Sequence, residues 1–298
     1  MNRKHFIQSS ALTLGALAFQ KSLIAQFFQQ PAWKIQMLTK EIGIFSEKGG
    51  TILFYLGKDG IAVVDAQFPE QSQHLIEELK KQTSQPFGLL INTHHHGDHT
   101  SGNISYKGIV EHVLAHENSK ANQIKVAKAS KTEDKQLYPD QTYKEVWSQR
   151  FGKETITLHY LGAGHTNGDS LVHFEKADIV HMGDLLFNRR HPYVDKANGA
   201  QMQNWVQILE TAQNKFSNKT KFVFGHAGEG YEVTGTKDDL RAYSIYLQQV
   251  LTFVESEIKT GKSRDEIVKQ TSIPGNQEWK GDGIQRPLGA AYDELTAK

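Results

Sequence analysis

The 298-residue chain contains no cysteine. Disulfides and thiolate metal sites are therefore excluded, and a zinc site in this protein has to be built from histidine and carboxylate. Charge of one sign is missing too: 34 Lys and Arg stand against 33 Asp and Glu, a formal net charge of +1. That balance supplies neither the concentrated basic face that nucleic acid requires nor a polybasic membrane patch. There is no internal repeat and no Pro/Ser-rich linker. The length admits one large domain or two smaller ones, and 38% hydrophobic residues with 25 glycines suit a globular domain rich in loops.

The apolar run "ALTLGALAF" (11–19) is too short to span a bilayer. It follows the basic "MNRKHF" and precedes "LIAQ", where small Ala25 offers a cleavage point. This layout predicts a secretory signal over residues 1–26, a single domain with C-terminal helical elements over 27–298, and a periplasmic or secreted protein. "NRKHFIQ" resembles a twin-arginine export signal with Lys4 in place of the second arginine. No stable membrane association is expected once the signal is removed.

Strands alternate with helices through the remainder. Apolar runs at 51–57 and 60–66, separated by "KDG", predict a hairpin. Residues 87–92 and 109–116, then 155–162, 171–183 and 221–226, read as further strands. Helical spacing marks 72–82, 201–216 and 241–261, the last ending on Gly261. "NSKANQIKVAKASK" reads as a surface helix or an excursion over the body. Two halves that each mix strands and helices fit two sheets with helices outside, and a doubly wound sheet fits as well.

The densest chemistry lies in "INTHHHGDHTSGN" (91–103), which puts four histidines and an aspartate into six positions. Residues two apart point to the same side of an extended segment, so His94 and His96 can grip one ion. Asp98 and His99 can turn to a second, and His95 points away. Three later segments repeat the context of an apolar strand followed by glycine and a metal-seeking side chain: "HYLGAGHTNGD" with His165, "IVHMGDLLF" with Asp184, and "FVFGHAGEG" with His226. Together the seven residues supply two sets of three ligands and one carboxylate able to bridge, enough for two zinc ions and a shared water. Two divalent cations, two carboxylates and a hydroxide leave about one positive charge (4 − 2 − 1) on such a centre. It would lower the pKa of its water from about 15.7 to roughly 7 and polarise a carbonyl or phosphoryl oxygen. His5, His74, His112, His159, His173, His181 and His191 lack this context and read as structural.

At these positions the chain resembles the metallo-β-lactamase superfamily: "THHHGDH", "GHT", "GD", "GH" and the aspartate of "AVVDA" fall in the family's order across roughly residues 35–230. The resemblance implies an α/β fold, a four-layer αβ/βα sandwich with the metals at one edge of the sheets. It assigns His94, His96 and His165 to a first zinc, and Asp98, His99 and His226 to a second. Asp184 bridges, Asp98 doubles as the catalytic carboxylate, and Asp65 is the buried aspartate that braces the ligand loop. It implies hydrolysis of a lactam, lactone, thioester or ester in a small molecule by metal-activated hydroxide, with iron or manganese as alternative metals. A true β-lactamase, a mononuclear iron dioxygenase similar to persulfide dioxygenases, and a non-catalytic scaffold are the rival readings. After the bridge, "LLFNRRHPYVD" offers Arg189 and Arg190 as candidates for a substrate carboxylate, with Phe187 and Tyr193 as an apolar wall. Trp279 and the tail around it read as packing elements.

Overall fold

A computed structural model describes residues 32–280 and 282–297. The predicted signal segment, residues 1–26, and His5 lie outside them. Residues 35–298 make up one compact unit. Seven strands form the first sheet in sequence order: β1 (Lys34–Met37), β2 (Ile42–Ser46), β3 (Ile52–Gly57), β4 (Gly60–Val64), β5 (Phe87–Asn92), β6 (Val110–His116) and β7 (Gln141–Tyr143). The expected hairpin joins β3 to β4, with Gly57 paired to Gly60 and the two-residue loop Lys58–Asp59 between them. From β4 to β7 the strands run parallel.

Parallel pairing requires crossovers. Helix α1 (Pro69–Gln82) links β4 to β5, and the short helix α2 (Gly97–Thr100) follows β5. Helix α3 (Glu117–Ser130) links β6 to β7, so "NSKANQIKVAKASK" is a helix. The preferred right-handed crossover puts α1 and α3 on one face of the sheet. Pro69 starts α1 where its missing N–H costs nothing, and Leu75, Ile76 and Leu79 form its buried stripe.

The second sheet contains β8 (Val146–Phe151), β9 (Glu154–His159), β10 (Leu171–Phe174), β11 (Ile179–His181), β13 (Lys221–Val223) and β15 (Thr234–Gly235), in the order β15-β13-β11-β10-β9-β8. A two-stranded ribbon, β12 (Phe187–Asn188) with β14 (His226–Ala227), stands apart from it. Outside this sheet lie α4 (Met202–Lys215), α5 (Lys237–Lys259), the short α6 (Arg264–Ile267) and α7 (Gln285–Thr296). One core fills the space between the sheets: Leu53, Tyr55, Val64, Ile91 and Leu114 meet Ile156, Leu158, Val172, Phe174 and Val223. A second core binds the outer face of β10 and β11 to Trp205, Leu209, Tyr243, Leu247 and Leu288 of the helices. The architecture is the four-layer αβ/βα sandwich.

Two elements depart from the sequence pattern. The apolar stretch 171–183 is not one strand: it folds into β10 and β11, because the Glu154 carboxylate accepts the backbone N–H groups of Lys176 (2.6 Å) and Ala177 (3.1 Å) and Asp178 adopts a left-handed φ of 52°. Helix α5 starts at Lys237 rather than at Arg241, since Thr236 and Asp239 form a reciprocal capping box ahead of the apolar pattern. Among the described residues no helix is long and apolar enough to cross a membrane.

Candidate metal centre

Strand ends from both sheets deliver the predicted residues to one edge. Asp65 follows β4, His94 to His99 follow β5, His165 lies beyond β9, and Asp184 and His226 come just after β11 and β13. All seven predicted ligands are brought together. Nε2 of His94, Nδ1 of His96 and Nε2 of His165 converge, with His96 Nδ1 3.1 Å from His94 and 2.9 Å from His165. Asp184 Oδ2 lies 3.5 Å from His165 Nε2 and 3.9 Å from His94 Nε2. Its other oxygen, Oδ1, stands 3.1 Å from His99 Nε2 and 3.4 Å from His226 Nε2. Asp98 Oδ2 completes this second group, 3.1 Å from His226 and 3.8 Å from His99. Metal bonds of about 2.1 Å place ligand atoms ~3.0–3.9 Å apart as the angle between them widens, and the separations of 2.9–3.9 Å in the two groups are close to that spacing. Buried His99 Nε2 and Asp184 Oδ1 have no hydrogen-bond partner, which fits donors aimed at a cation.

The opposite nitrogen of four rings is occupied. His99 Nδ1 donates to Asp65 Oδ2 (2.8 Å), and His165 Nδ1 donates to the Tyr193 carbonyl (2.8 Å). His94 Nδ1 lies 3.1 Å from the Thr93 hydroxyl, which itself donates to Asp65 Oδ2 at 2.8 Å. His96 Nε2 donates to Asp195 Oδ2 (2.9 Å). Each contact selects the tautomer that leaves the converging nitrogen with a free lone pair. Asp65 is fully buried at φ 66° and also accepts the Thr93 N–H at 2.8 Å. One carboxylate thus sets the loop backbone and two imidazoles.

Burial lowers the His94 pKa and takes that of His165 to about 3, so both rings are neutral donors. Burial also opposes charge on Asp184, but His226 and His99 outweigh it and hold the carboxyl well below its ordinary value. Asp98 behaves alike: burial is overcome by the His226 hydrogen bond, and its pKa falls to about 2. Close approach of backbone protects the cluster. A Cβ on Gly225 would sit 2.0 Å from Asp184 Oδ1, and one on Gly50 would overlap the His99 ring at 2.1 Å.

His95 turns away from both groups, towards Asp195 Oδ2 at 3.3 Å. His181 is a satisfied core residue, with Nε2 donating to the Thr51 carbonyl and Nδ1 accepting the Gly183 N–H. A cavity of about 340 Å³ opens on the cluster, lined by His96, Asp98, Asp184 and His226 and walled by Phe187 and Tyr193. Arg190 lines it; Arg189 does not. The Arg189 side chain runs instead to Glu278 (Nε–Oε2 2.8 Å) and over the Trp279 ring, 4.9 Å from its centre. Trp279 is buried and stacks on Tyr246 at 4.5 Å.

Asp195, Asp282 and Arg286 escaped the sequence reading. Asp195 meets His96 across 99 positions of sequence, and no local pattern marks it. Asp282 and Arg286 reach the cavity from a tail that looks like packing helix.

Residues 47–226 match the family described as Metallo-beta-lactamase superfamily. The chain belongs to that superfamily and is a metal-dependent hydrolase. It is 25% identical over 215 residues to metallo-beta-lactamase IND-1 of Chryseobacterium indologenes, covering 70% of this chain and 85% of that protein. A type 2 metallo-beta-lactamase of Elizabethkingia meningoseptica is 21% identical over 230 residues, 74% of this chain and 89% of its own. Among solved structures, metallo-beta-lactamase IND-7 superposes with a TM-score of 0.61 at 21% identity, over 74% of this chain and 100% of that one. The sec-alkylsulfatase Pisa1 from Pseudomonas sp. superposes with a TM-score of 0.72 at 11% identity, over 88% of this chain and half of that one.

Proposed function

We propose that the protein is an exported dinuclear zinc hydrolase that opens a carbonyl-type bond, a lactam, lactone, thioester or ester, in a small molecule. The observation that carries this is the Asp184 carboxylate, whose two oxygens face two separate sets of imidazole and carboxylate groups. In this reading His94, His96 and His165 would hold one ion, Asp98, His99 and His226 would hold the other, and Asp184 would be shared by both. Zinc suits the donor set, all imidazole nitrogen and carboxylate oxygen. Two such ions would supply Lewis acidity towards the substrate oxygen and a water whose pKa is lowered to roughly 7.

The chain's own groups do the rest. Asp98 lines the cavity and, ionised, accepts a hydrogen bond that orients the attacking water on the carbonyl carbon. Asp65, Asp195 and the Tyr193 carbonyl keep the histidines in the ligating tautomer. Phe187, stacked on His226 at 15°, and Tyr193 present apolar surface to the body of the substrate. Attack forms a bond to the carbonyl carbon; collapse breaks its bond to nitrogen, oxygen or sulfur, and the departing atom takes the proton.

Relatives named as β-lactamases make a lactam the first substrate to try. The test is elemental analysis of protein purified without chelator, followed by a chromogenic cephalosporin, lactone, thioester and phosphodiester panel. Two zinc ions per chain and turnover of a carbonyl substrate abolished by chelation are expected. A single iron, or turnover confined to the phosphodiester, would refute the reading. Export is tested separately: mature protein from the host should begin near Gln26, and an intact Met1 in a cytoplasmic pool would refute it.

A further inference from the structure

We propose that Arg190 and Arg286 form a binding site for an oxyanion, a carboxylate or sulfate, carried by the substrate, and that the C-terminal helix supplies half of it. For the position of the scissile bond alone, this rests on the hydrolase reading above. Arg286 lies on the first turn of α7, beyond residues 47–226 that match the family. It nevertheless lines the same cavity as Arg190, His96 and Asp98.

The two adjacent arginines of "NRR" have separate fates. Arg189 is occupied by Glu278 at 2.8 Å, by Asp239 at 3.7 Å and by the faces of Trp279 and Tyr231. Arg190 is exposed and makes no ion pair or side-chain hydrogen bond among the described residues. It borders the cavity on the cluster and a neighbouring hollow of about 240 Å³, and His226 lines both. Arg286 is equally exposed and unpaired among the described residues; its guanidinium stands 5.6 Å from the Tyr193 ring centre. That ring in turn lies 5.3 Å from the His96 ring. The cavity's one acidic side chain outside the predicted ligands, Asp282, forms no ion pair with either arginine.

Two unpaired guanidinium groups in one small cavity repel each other and find their natural complement in a ligand anion, which their planar forks can bind with paired hydrogen bonds. Their placement is not loose. Arg190 and Lys280 form a parallel backbone bridge, and Trp279 lies flat on Tyr246 at an angle of 2°. Arg189, without touching the cavity, fastens the segment that leads to Arg286. The fitting ligand is a small organic anion: its hydrolysable bond at the cluster, its body against Phe187 and Tyr193, its charge between the arginines.

The experiment uses the metal-loaded full chain and a matched pair of chromogenic esters, mono-4-nitrophenyl succinate with a free carboxylate and 4-nitrophenyl methyl succinate without one. Arg190→Gln and Arg286→Gln should each raise KM for the charged ester by about tenfold or more, leave its kcat within about twofold, and spare the neutral ester. Arg286→Lys should recover part of the loss. Calorimetric titration with phenylsuccinate and with its diamide provides a readout free of turnover: each Gln variant should weaken the dianion by a similar factor and leave the diamide unchanged. Equal effects on both members of each pair, or no effect on either, overturn the proposal. If the wild-type protein cleaves neither ester, the titration decides the arginine site by itself, while the carbonyl-hydrolase reading stands or falls separately on the cephalosporin, lactone and thioester panel.

Discussion

Replacing Asp65 by Asn keeps the size and the left-handed backbone of the residue, which Asn tolerates better than most side chains, and exchanges one acceptor oxygen for a donor. In the native chain both oxygens only accept: Oδ1 from the Thr93 N–H, and Oδ2 from the Thr93 hydroxyl and His99 Nδ1. An amide has no orientation that satisfies this set. With its NH2 at the Oδ2 position it faces the His99 N–H; flipped, it faces the Thr93 backbone N–H. A buried donor left facing a donor costs about 1–3 kcal/mol. The His99 ring can relieve the first clash only by moving its proton to Nε2, the atom that stands 3.1 Å from Asp184 Oδ1. That change removes a lone pair from the second donor group. Loss of such an outer-shell partner weakens metal binding about 10–100-fold. The metal-dependent part of the stability should fall with it, by about 1.4–2.7 kcal/mol under saturating zinc. Zinc titration against a calibrated chelator reads the first number, and urea unfolding with and without zinc reads the second. An Asp65→Asn protein that holds two zinc ions as tightly as the wild type would refute the assigned tautomers and the role of Asp65 with them.

Asp184→Ala should lose the second metal on dialysis and weaken metal binding overall by more than ~100-fold, because it removes a donor from both groups at once; two tightly held ions in the variant would exclude the bridge. His159 is buried and its pKa is lowered to about 4 from 6.5. The unfolded chain therefore binds more protons between those values, and stability is lost as pH falls from 6.5 towards 4, by up to about 3 kcal/mol. His159→Leu should flatten that limb in urea midpoints taken at pH 4.5 and 7, and parallel slopes in the two proteins would contradict it. Arg189→Gln should cost about 1–2 kcal/mol, mostly from the stacking on Trp279, since Glu278 is largely exposed. It should also speed amide exchange in residues 278–286; unchanged exchange there would show that Arg189 does not fasten the tail.

The seven clustered residues were legible because each of the four segments that carry them joins the end of an apolar strand to a glycine, a context that local pattern captures. The sandwich followed from the resemblance and not from periodicity, which left a doubly wound sheet equally open. What stayed hidden has non-local causes. The turn that splits 171–183 depends on a carboxylate from another strand, Glu154. Asp195 acts through a contact that only the folded chain creates. Arg189 and Arg190 look interchangeable in sequence, yet a left-handed φ of 55° at Arg189 sends the two side chains apart.

Each donor group draws on both halves of the chain: residues 94–99 from the first sheet, and His165, Asp184 and His226 from the second. With ions in place as proposed, the two halves are cross-linked twice through loops of tens of residues. Closing loops of that size restricts the unfolded chain as disulfides do, an effect worth about 3–5 kcal/mol per link in the chain-entropy view. A cysteine-free protein would then carry staples that no thiol can reduce but that a chelator can withdraw. Its resistance to unfolding, and to the proteases that follow unfolding, would depend on the free zinc around it and not on the redox state.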